Sequence, residues 1–460
     1  MSTFFRLPAC CLAVLGCLLV AGLPDAAAGP PAVSFRRDIA PVLRDQCLAC
    51  HGDKKSEGDY RVDSFEWLMK PGASGDPPVA AGKPDESELL RRLESDDESD
   101  RMPLEAEPLP PAVVARFRRW IAEGARCDAP DPTAPIVTVV APADYPPAPP
   151  SYARAVPVMA LTWARHADQP VLVTGGYREL LVWHAENGTL LRRIGNLPPR
   201  IHALAVRPDG KQLAVAGGEP GRVGELRLLE FESGELTGVP LIRGDVVVSV
   251  VYDREGKRLV AGASDGSVSV VDVDSGRRVW SIEAHKEWAK SVAWSPDGQW
   301  VVSGGFDNQV KVLAAADGTQ RVVFGEHKQP VWSVAVAADG KSAFSGDETG
   351  RVLRWSLQDG KKTAEVRVGG AAHQMLATKK WLFVASSARR VSQLDPRSHQ
   401  IAKQWTGPKG RVISVTWDES SQRLAAGTDQ GEVWVWSLES GKKVAQWENR
   451  GTRNQNGAQP

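Results

Sequence analysis

The sequence predicts a multidomain chain: a small all-α segment that carries one prosthetic group, followed by an all-β array of seven repeated units. Three observations predict it. A Cys-x-x-Cys-His stretch at Cys47–His51 sits among segments with helical apolar spacing. A proline-rich stretch with little charge follows at 128–153. From 154 to 448 the chain repeats itself about every 42 residues.

Residues 1–28 read as a secretory signal. Arg6 supplies a positive start, Ala9 to Leu23 is an uncharged apolar run, and Ala26-Ala27-Ala28 is a small-residue cleavage pattern before Gly29. The run is shorter than the roughly 18–20 residues of a spanning helix, so no integral membrane span is expected after cleavage. Leu15-Gly16-Cys17 faintly resembles a lipoprotein box, but the apolar run continues past Cys17, which argues against a lipid anchor there. The expectation is an exported protein, periplasmic or associated with the envelope. Lys+Arg and Asp+Glu number 56 each. That balance supplies no charge argument for nucleic acid or an anionic membrane.

Cys47-Leu48-Ala49-Cys50-His51 places two thiols three apart with an imidazole directly after them. Such thiols can add across the vinyl groups of one porphyrin, and the histidine can then give Nε2 to iron. Other chemistries use a CxxC pair. A thioredoxin-type pair needs a βαβ setting, and none surrounds this one. A zinc site needs four ligands, and no second Cys/His pair lies nearby. A plain Cys47–Cys50 disulfide in an oxidising compartment stays open. The reading adopted is one covalent haem c. Cys127 is then the one unused thiol after the leader, read as inert or partly buried, with an intermolecular disulfide as the minor option.

Residues 34–127 form the haem segment. Phe35, Ile39, Val42 and Leu43 recur at helical spacing behind Ser34 as N-cap. A second helix is expected at Glu86–Leu93, capped by Asp85 after Pro84. A third runs from Pro111 to Glu123, with Val113, Phe117, Trp120 and Ile121 on one face and Gly124 at its stop. A sixth iron ligand must come from elsewhere, and the segment offers Met69 and Met102. Met69 follows the apolar cluster Phe65, Trp67 and Leu68 and reads as packing. Met102 lies on the loop before the last helix and is favoured, because His/Met ligation is a standard arrangement. Glu94, Asp96, Asp97, Glu98 and Asp100 precede it, read as a solvated loop or as an acidic rim steering a basic redox partner.

These residues resemble the planctomycete-type cytochrome c domain. The resemblance is carried by Phe35 to Leu43, Cys47 to Gly52, Val62-Asp63, Gly82-Lys83-Pro84, Ser87, Arg101-Met102-Pro103, Trp120-Ile121 and Gly124-Ala125. It implies covalent haem on Cys47 and Cys50 with His51 and Met102 as axial iron ligands. Leu104 departs from the family, which usually has a second proline there.

Asp128 to Ala153 holds eight prolines and reads as a semi-rigid spacer. Ile136 to Val140 is a strand-like interruption suited to docking on a sheet edge.

In the array, a small residue followed by glycine ends the second strand of each unit. The pairs are Thr174-Gly175, Ala216-Gly217, Ala261-Gly262, Ser303-Gly304, Ser345-Gly346 and Ala426-Gly427, with Ser386-Ser387 in the remaining slot. Turns precede them at Pro208-Asp209-Gly210, Glu255-Gly256, Pro296-Asp297-Gly298 and Asp339-Gly340. Third strands follow, from Leu180–Trp183 through Val433–Trp436. Seven such units resemble WD40 repeats and so imply a seven-bladed β-propeller, a fold that usually binds proteins. Trp183, Trp355 and Trp436 hold the family's Trp position, but His184, Ser356 and Ser437 follow where Asp is usual. His285 and Asp307 fit the family's structural His–Asp pair. His327 has Thr349, and the last unit has Gln430, at the turn position read as equivalent. The blades are therefore expected to rest more on apolar packing than on that network. Lys442–Glu448 or a strand from before Val158 would close the ring, and 449–460 reads as a polar tail.

No convergent polar site, metal-spaced cluster or phosphate loop stands out in the repeats. Gly217 to Gly221 reads as a glycine-rich hairpin. The chain is therefore read as an electron carrier on a docking scaffold for a redox partner or an envelope complex, rather than a substrate-turning enzyme. The alternatives are an oxidoreductase whose propeller holds a second cofactor, and a haem-based sensing or structural protein.

Overall fold

Seven four-stranded antiparallel sheets, each built from four consecutive strands, make up most of the described chain. The structure, a computed structural model, describes residues 32–48, 50–52, 55–104, 106–129, 131–139 and 144–451. The leader with Cys17, Ala49 of the attachment stretch and Val140 lie outside the described residues. The sheets are the blades of a propeller: blade 1 at 161–194, blade 2 at 200–243, blade 3 at 247–283, blade 4 at 289–324, blade 5 at 331–367, blade 6 at 372–405 and blade 7 at 412–448.

Burial explains the sequence pattern of each blade. Middle strands are covered on both faces by neighbouring blades, so they read as near-continuous apolar runs: every residue of Leu382–Ser386 and Glu432–Ser437 is buried. The outermost strand has one wet face, and Lys362–Arg367 alternates accordingly. The turn glycines Gly210, Gly256, Gly298 and Gly340 all adopt φ between 67° and 76°, the left-handed region that a tight turn requires. The recurring second-strand glycine has a different cause. A Cβ on Gly304 would lie 2.7 Å from Val334 of the next blade, and one on Gly346 would lie 2.6 Å from Ala372. Blades 2, 4, 5 and 6 enter against the bare backbone of the one before, at Gly175, Gly262, Gly304 and Gly346.

The ring closes on that same contact. A Cβ on Gly427 in blade 7 would meet Val158 at 2.4 Å. Val158 N–H donates to Thr428 O (3.0 Å), and Val156 N–H to Asn449 O (3.0 Å). The outer strand of blade 7 is Lys443–Glu448, so the chain before Val158 seals the seam without joining a sheet. Asn449, placed in the polar tail on sequence grounds, is fully buried. Its Nδ2 donates to Gly175 O (2.9 Å) and Val156 O (3.2 Å), while its Oδ1 accepts from Thr174 Oγ1 (2.8 Å). Thr174 Oγ1 in turn accepts from Trp183 Nε1 (2.8 Å). Around this network Trp183 and Trp447 pack with centroids 5.9 Å apart.

The polar network inside the blades is fuller than expected. His285 reaches Asp307 (2.8 Å) and Ser303 (2.8 Å), as read. His327 makes the same pair of contacts, but its partner is Asp347 (2.9 Å) with Ser345 (2.7 Å), which corrects the assignment of Thr349. Thr349 instead donates to Asp347 (2.7 Å). Burial alone would raise the Asp347 carboxyl. The hydrogen bonds from His327, Thr349 and the Arg351 amide outweigh it and hold the group below the usual carboxylate range. In blade 7, Asp429 sits at the turn and pairs with Arg411 (2.7 Å).

The N-terminal segment is helical, and its first helix is irregular. Over 35–47 the backbone runs as a π-helical turn (Phe35–Ile39), α1 (Ala40–Val42) and a second π-helical turn (Leu43–Cys47). Pro41 lacks an N–H and crowds the preceding carbonyls, which is a physical cause for the shifted ladder. Ser34 caps it, accepting from Arg37 N (3.0 Å). α2 is Phe65–Leu68. α3 is Glu88–Leu93, and the residue at its N-cap is Ser87, not Asp85. Pro84–Glu86 forms a separate 3₁₀ turn, and Asp85 pairs with Arg118 (2.7 Å). α4 (Pro111–Ala122) buries Phe117, Trp120 and Ile121.

The described parts of the linker dock as a strap. Its strand-like stretch forms a short helix, α5 (Ile136–Val139), which packs against the outer strand Leu236–Arg243 of blade 2. Pro135 before it suits a helix start, and Ile136 and Val139 then bury one face, so packing overrides β-propensity. Ile136 N–H donates to Asp63 O (2.7 Å), and Glu66 N–H to Pro132 O (3.0 Å). Tyr145 reaches Glu225, and Arg193 donates to Pro150 O (2.6 Å).

Two predictions follow from this packing. Asn449→Ala removes three side-chain hydrogen bonds at the seam and should destabilise the chain by about 2–3 kcal/mol, seen as a lower thermal midpoint. An unchanged midpoint would mean that apolar packing alone closes the ring. Because the Asp347 carboxyl is held low in the folded state, its contribution is present above an ordinary aspartate pKa of about 4 and lost as pH falls below it. Asp347→Asn should lower the midpoint at pH 7 and flatten its decline on acidification.

Candidate haem-attachment site

Residues 47–62 fold back on themselves as a loop after the π-helical turn. His51 N–H donates to Cys47 O (3.0 Å), Glu57 N–H to Cys50 O (3.1 Å) and Val62 N–H to His51 O (2.8 Å). Gly52 is required where it stands, since a Cβ there would lie 2.7 Å from Leu48 O.

The histidine is oriented by its other nitrogen. Nδ1 of His51 lies 3.2 Å from the carbonyl oxygen of Tyr60. A carbonyl only accepts, so Nδ1 carries the proton and Nε2 presents its lone pair. Tyr60 is itself anchored, its hydroxyl donating to Leu68 O (3.0 Å) and its ring lying edge-on to His51 with centroids 5.6 Å apart. Sequence reasoning missed Tyr60, because a backbone carbonyl leaves no side-chain signal.

The two cysteines are free thiols in different surroundings. Cys47 is partly buried against the helical core, and burial, then the neighbouring Cys50, pushes its thiol up to about 12. Cys50 is exposed, with Lys55 Nζ 3.9 Å from its sulfur. Met102 is half-buried and packs on the same core as Cys47, Leu48 and Tyr60; Met69 does so too. The Met102 amide is fixed by Arg92 O (3.0 Å). Nε of neighbouring Arg101 is buried without a partner among the described residues, which suits a porphyrin propionate. The donor set fits haem c: two thiols, an imidazole held through Nδ1, a thioether and a guanidinium.

The acidic run is partly neutralised. Asp100 pairs with Arg91 (2.5 Å) and Arg92 (2.8 Å), and Glu94 with Arg118 (2.7 Å). Hydrogen bonds from Arg91 hold Asp100 below the carboxylate range. Asp97 is spent on Ser99. Cys127 is half-buried, and burial raises its thiol, in line with an inert group.

Among the described residues no three His, Cys, Asp or Glu gather to hold a bare metal ion, and no helix is long and apolar enough to cross a membrane. The fold and this donor set define a helical haem-binding-type segment joined to a seven-bladed propeller. Residues 47–105 match the family described as Planctomycete cytochrome C. Residues 276–312, 318–356 and 399–437 match the WD domain, G-beta repeat. The chain thus joins a planctomycete-type cytochrome c segment to WD40 repeats. The WD repeat-containing protein SL1-17 of Schistosoma mansoni is 29% identical over 98 residues, covering 21% of this chain and 31% of that protein. The intraflagellar transport protein 122 homolog of Danio rerio is 36% identical over 72 residues, 15% of this chain and 6% of that protein. The chain therefore spans a third or less of these relatives.

Gly52→Ala should displace the backbone beside His51 and lower the thermal midpoint by an amount corresponding to roughly 1–3 kcal/mol. Gly195→Ala, where a Cβ meets nothing within 4 Å, should be neutral. Equal midpoints for the two variants would refute the close-approach reading.

Proposed function

We propose that the protein is an exported one-electron carrier, with a single haem c bound through Cys47 and Cys50 and a propeller that docks it to a partner protein. The observation that carries this is the Cys47–His51 motif with His51 Nδ1 held by Tyr60 O, inside the segment that matches the cytochrome family. When bound, haem supplies a reversible Fe(III)/Fe(II) couple. The chain's residues do the rest. Tyr60 orients the imidazole, Phe35, Phe65 and Trp120 pack the wall of the segment, and Met102 is assigned as the second axial ligand. A thioether ligand from Met102 would keep exogenous ligands off the iron and raise its potential, which suits electron transfer rather than substrate binding. Export is supported by the leader-like residues 1–28 and by the need of c-type attachment for maturation outside the cytoplasm. Docking is supported by the repeats, whose relatives include a protein named for intraflagellar transport.

The test is expression with a haem c maturation system, followed by haem staining and absorption spectroscopy. The wild type should be low-spin with a reversible couple. Met102→Ala should turn high-spin, bind CO in the ferrous state and shift to lower potential, while Met69→Ala stays low-spin. The reverse pattern would transfer the ligand role to Met69, and colourless wild type would end the haem reading.

A further inference from the structure

The propeller's central channel has a polar mouth that the haem reading does not use. Several residues of each innermost strand line the channel, and at this mouth the set includes Met159, His202, Val248, Lys290, Trp332, His373 and Ile413. From His202 onward, these residues fall at register breaks near the start of the innermost strands, where the partner strand skips them. A bulge of this kind re-aims a side chain, here toward the axis.

Met159, Val248 and Ile413 are apolar. Val248 of blade 3 lies between His202 and Lys290, whereas Met159 and Ile413 are neighbours where the ring closes. Lys290 Nζ lies 5.6 Å from the Trp332 ring centroid, and Trp332 meets His373 edge-on at 4.6 Å. His202 lies within electrostatic reach of Lys290, as does His373. His202 Nε2, His373 Nε2 and Trp332 Nε1 are buried without partners among the described residues. Carboxylates near the mouth are already engaged: Asp245 accepts from the Gly221 and Val246 amides, and Asp429 from Arg411. Trp332 is held from behind by Phe306, which stacks on Trp288. The cavity measures about 270 Å³, room for one small charged group and a few waters.

We propose that this mouth is an oxyanion site, in which Lys290, His202, His373 and the Trp332 N–H take one carboxylate or phosphate group entering the channel. The inference does not rest on the haem assignment. An ammonium with no acidic partner, beside the unpaired Trp332 N–H and two imidazoles that donate from Nε2 once protonated, is a site for a charge-assisted acceptor. Met159 and Ile413, adjacent at the closure, suit the stem of an acidic side chain, so an acidic peptide is the favoured source and a free anion the other.

The pH dependence follows in sign. Burial, then Lys290 and Arg200, push His202 down to about 4, against a small opposing effect of Asp245. Burial, then Lys290 and Arg411, push His373 down to about 4, opposed by Asp429. Burial lowers Lys290 to about 8. An anion favours the protonated form of all three, so binding should tighten from pH 7 to 5 and weaken above about pH 8.

The experiment titrates the full chain with inorganic phosphate, by calorimetry, and with a fluorescein-labelled hexaglutamate peptide, by anisotropy. Saturable binding is expected, weakened about tenfold or more by Lys290→Met and kept by Lys290→Arg, with unchanged thermal midpoints. His202→Leu/His373→Leu should remove the gain at low pH. Binding of peptide alone identifies an acidic segment as the source, and binding of phosphate alone a free anion. If neither probe saturates, or if Lys290→Met binds like the wild type, the proposal is overturned.

Discussion

Everything in the larger half of this molecule depends on the seam between blade 7 and blade 1. A row of sheets packed face to face leaves two uncovered faces at its ends, and each would expose an apolar surface like those buried between blades. The seam removes both at once. Val158 fills the place against Gly427 that the incoming blade fills against Gly175, Gly262, Gly304 and Gly346. Asn449 then ties both ends of the array to the second strand of blade 1, through Thr174 and Gly175. The contact is made by backbone and one buried amide rather than by a shared strand. Its cooperativity is therefore that of a satisfied polar network: each bond is modest, but leaving Thr174, Gly175 or Val156 unpaired inside the core would be costly.

Closure also sets the channel. Once the ring is shut, the innermost strands have fixed spacing, and a bulge near the start of six of them directs one side chain to the axis. Four of those side chains are polar or charged, and the backbone around them is already committed to the sheets. The same end of the propeller carries the His285–Asp307 and His327–Asp347 pairs, which hold the connections between blades. Loops held rigid around a polar mouth are a usual place for residues that contact a ligand.

What was legible in the sequence was whatever leaves a periodic or chemically singular mark. The Cys47–His51 stretch, the α4 face of Phe117, Trp120 and Ile121, and the third strands with their glycine turns belong to this kind. What was hidden depends on tertiary context. Asn449 looks like the start of a polar tail because nothing local shows that Thr174, hundreds of residues earlier, will need an acceptor. Asp347 was passed over for Thr349 because a turn position judged by spacing can slip by two residues. The run Ile136 to Val139 has strand composition, yet it forms a helix once Ile136 and Val139 find a wall to bury against. Tyr60 acts through its backbone, and no residue type would have flagged it.

That wall links the two halves. The haem segment is short, and a short chain buries too little surface to be independent without help. Part of the help comes from the propeller itself: Ile242, fully in the segment's core cluster, belongs to blade 2, and Val223 and Val239 of the same blade pack beside it. Ile136 and Val139 complete the joint, while Asp63 and Pro132 accept the backbone hydrogen bonds that pin the strap. Asp63 lies three residues after Tyr60, the residue that orients His51. The strap therefore braces the same loop that holds the imidazole, so the propeller edge, the linker helix and the attachment loop form one continuous set of contacts. A chain built this way keeps its N-terminal segment in a defined place on the propeller, and any partner seated on the propeller would meet that segment at a reproducible distance rather than on a free tether.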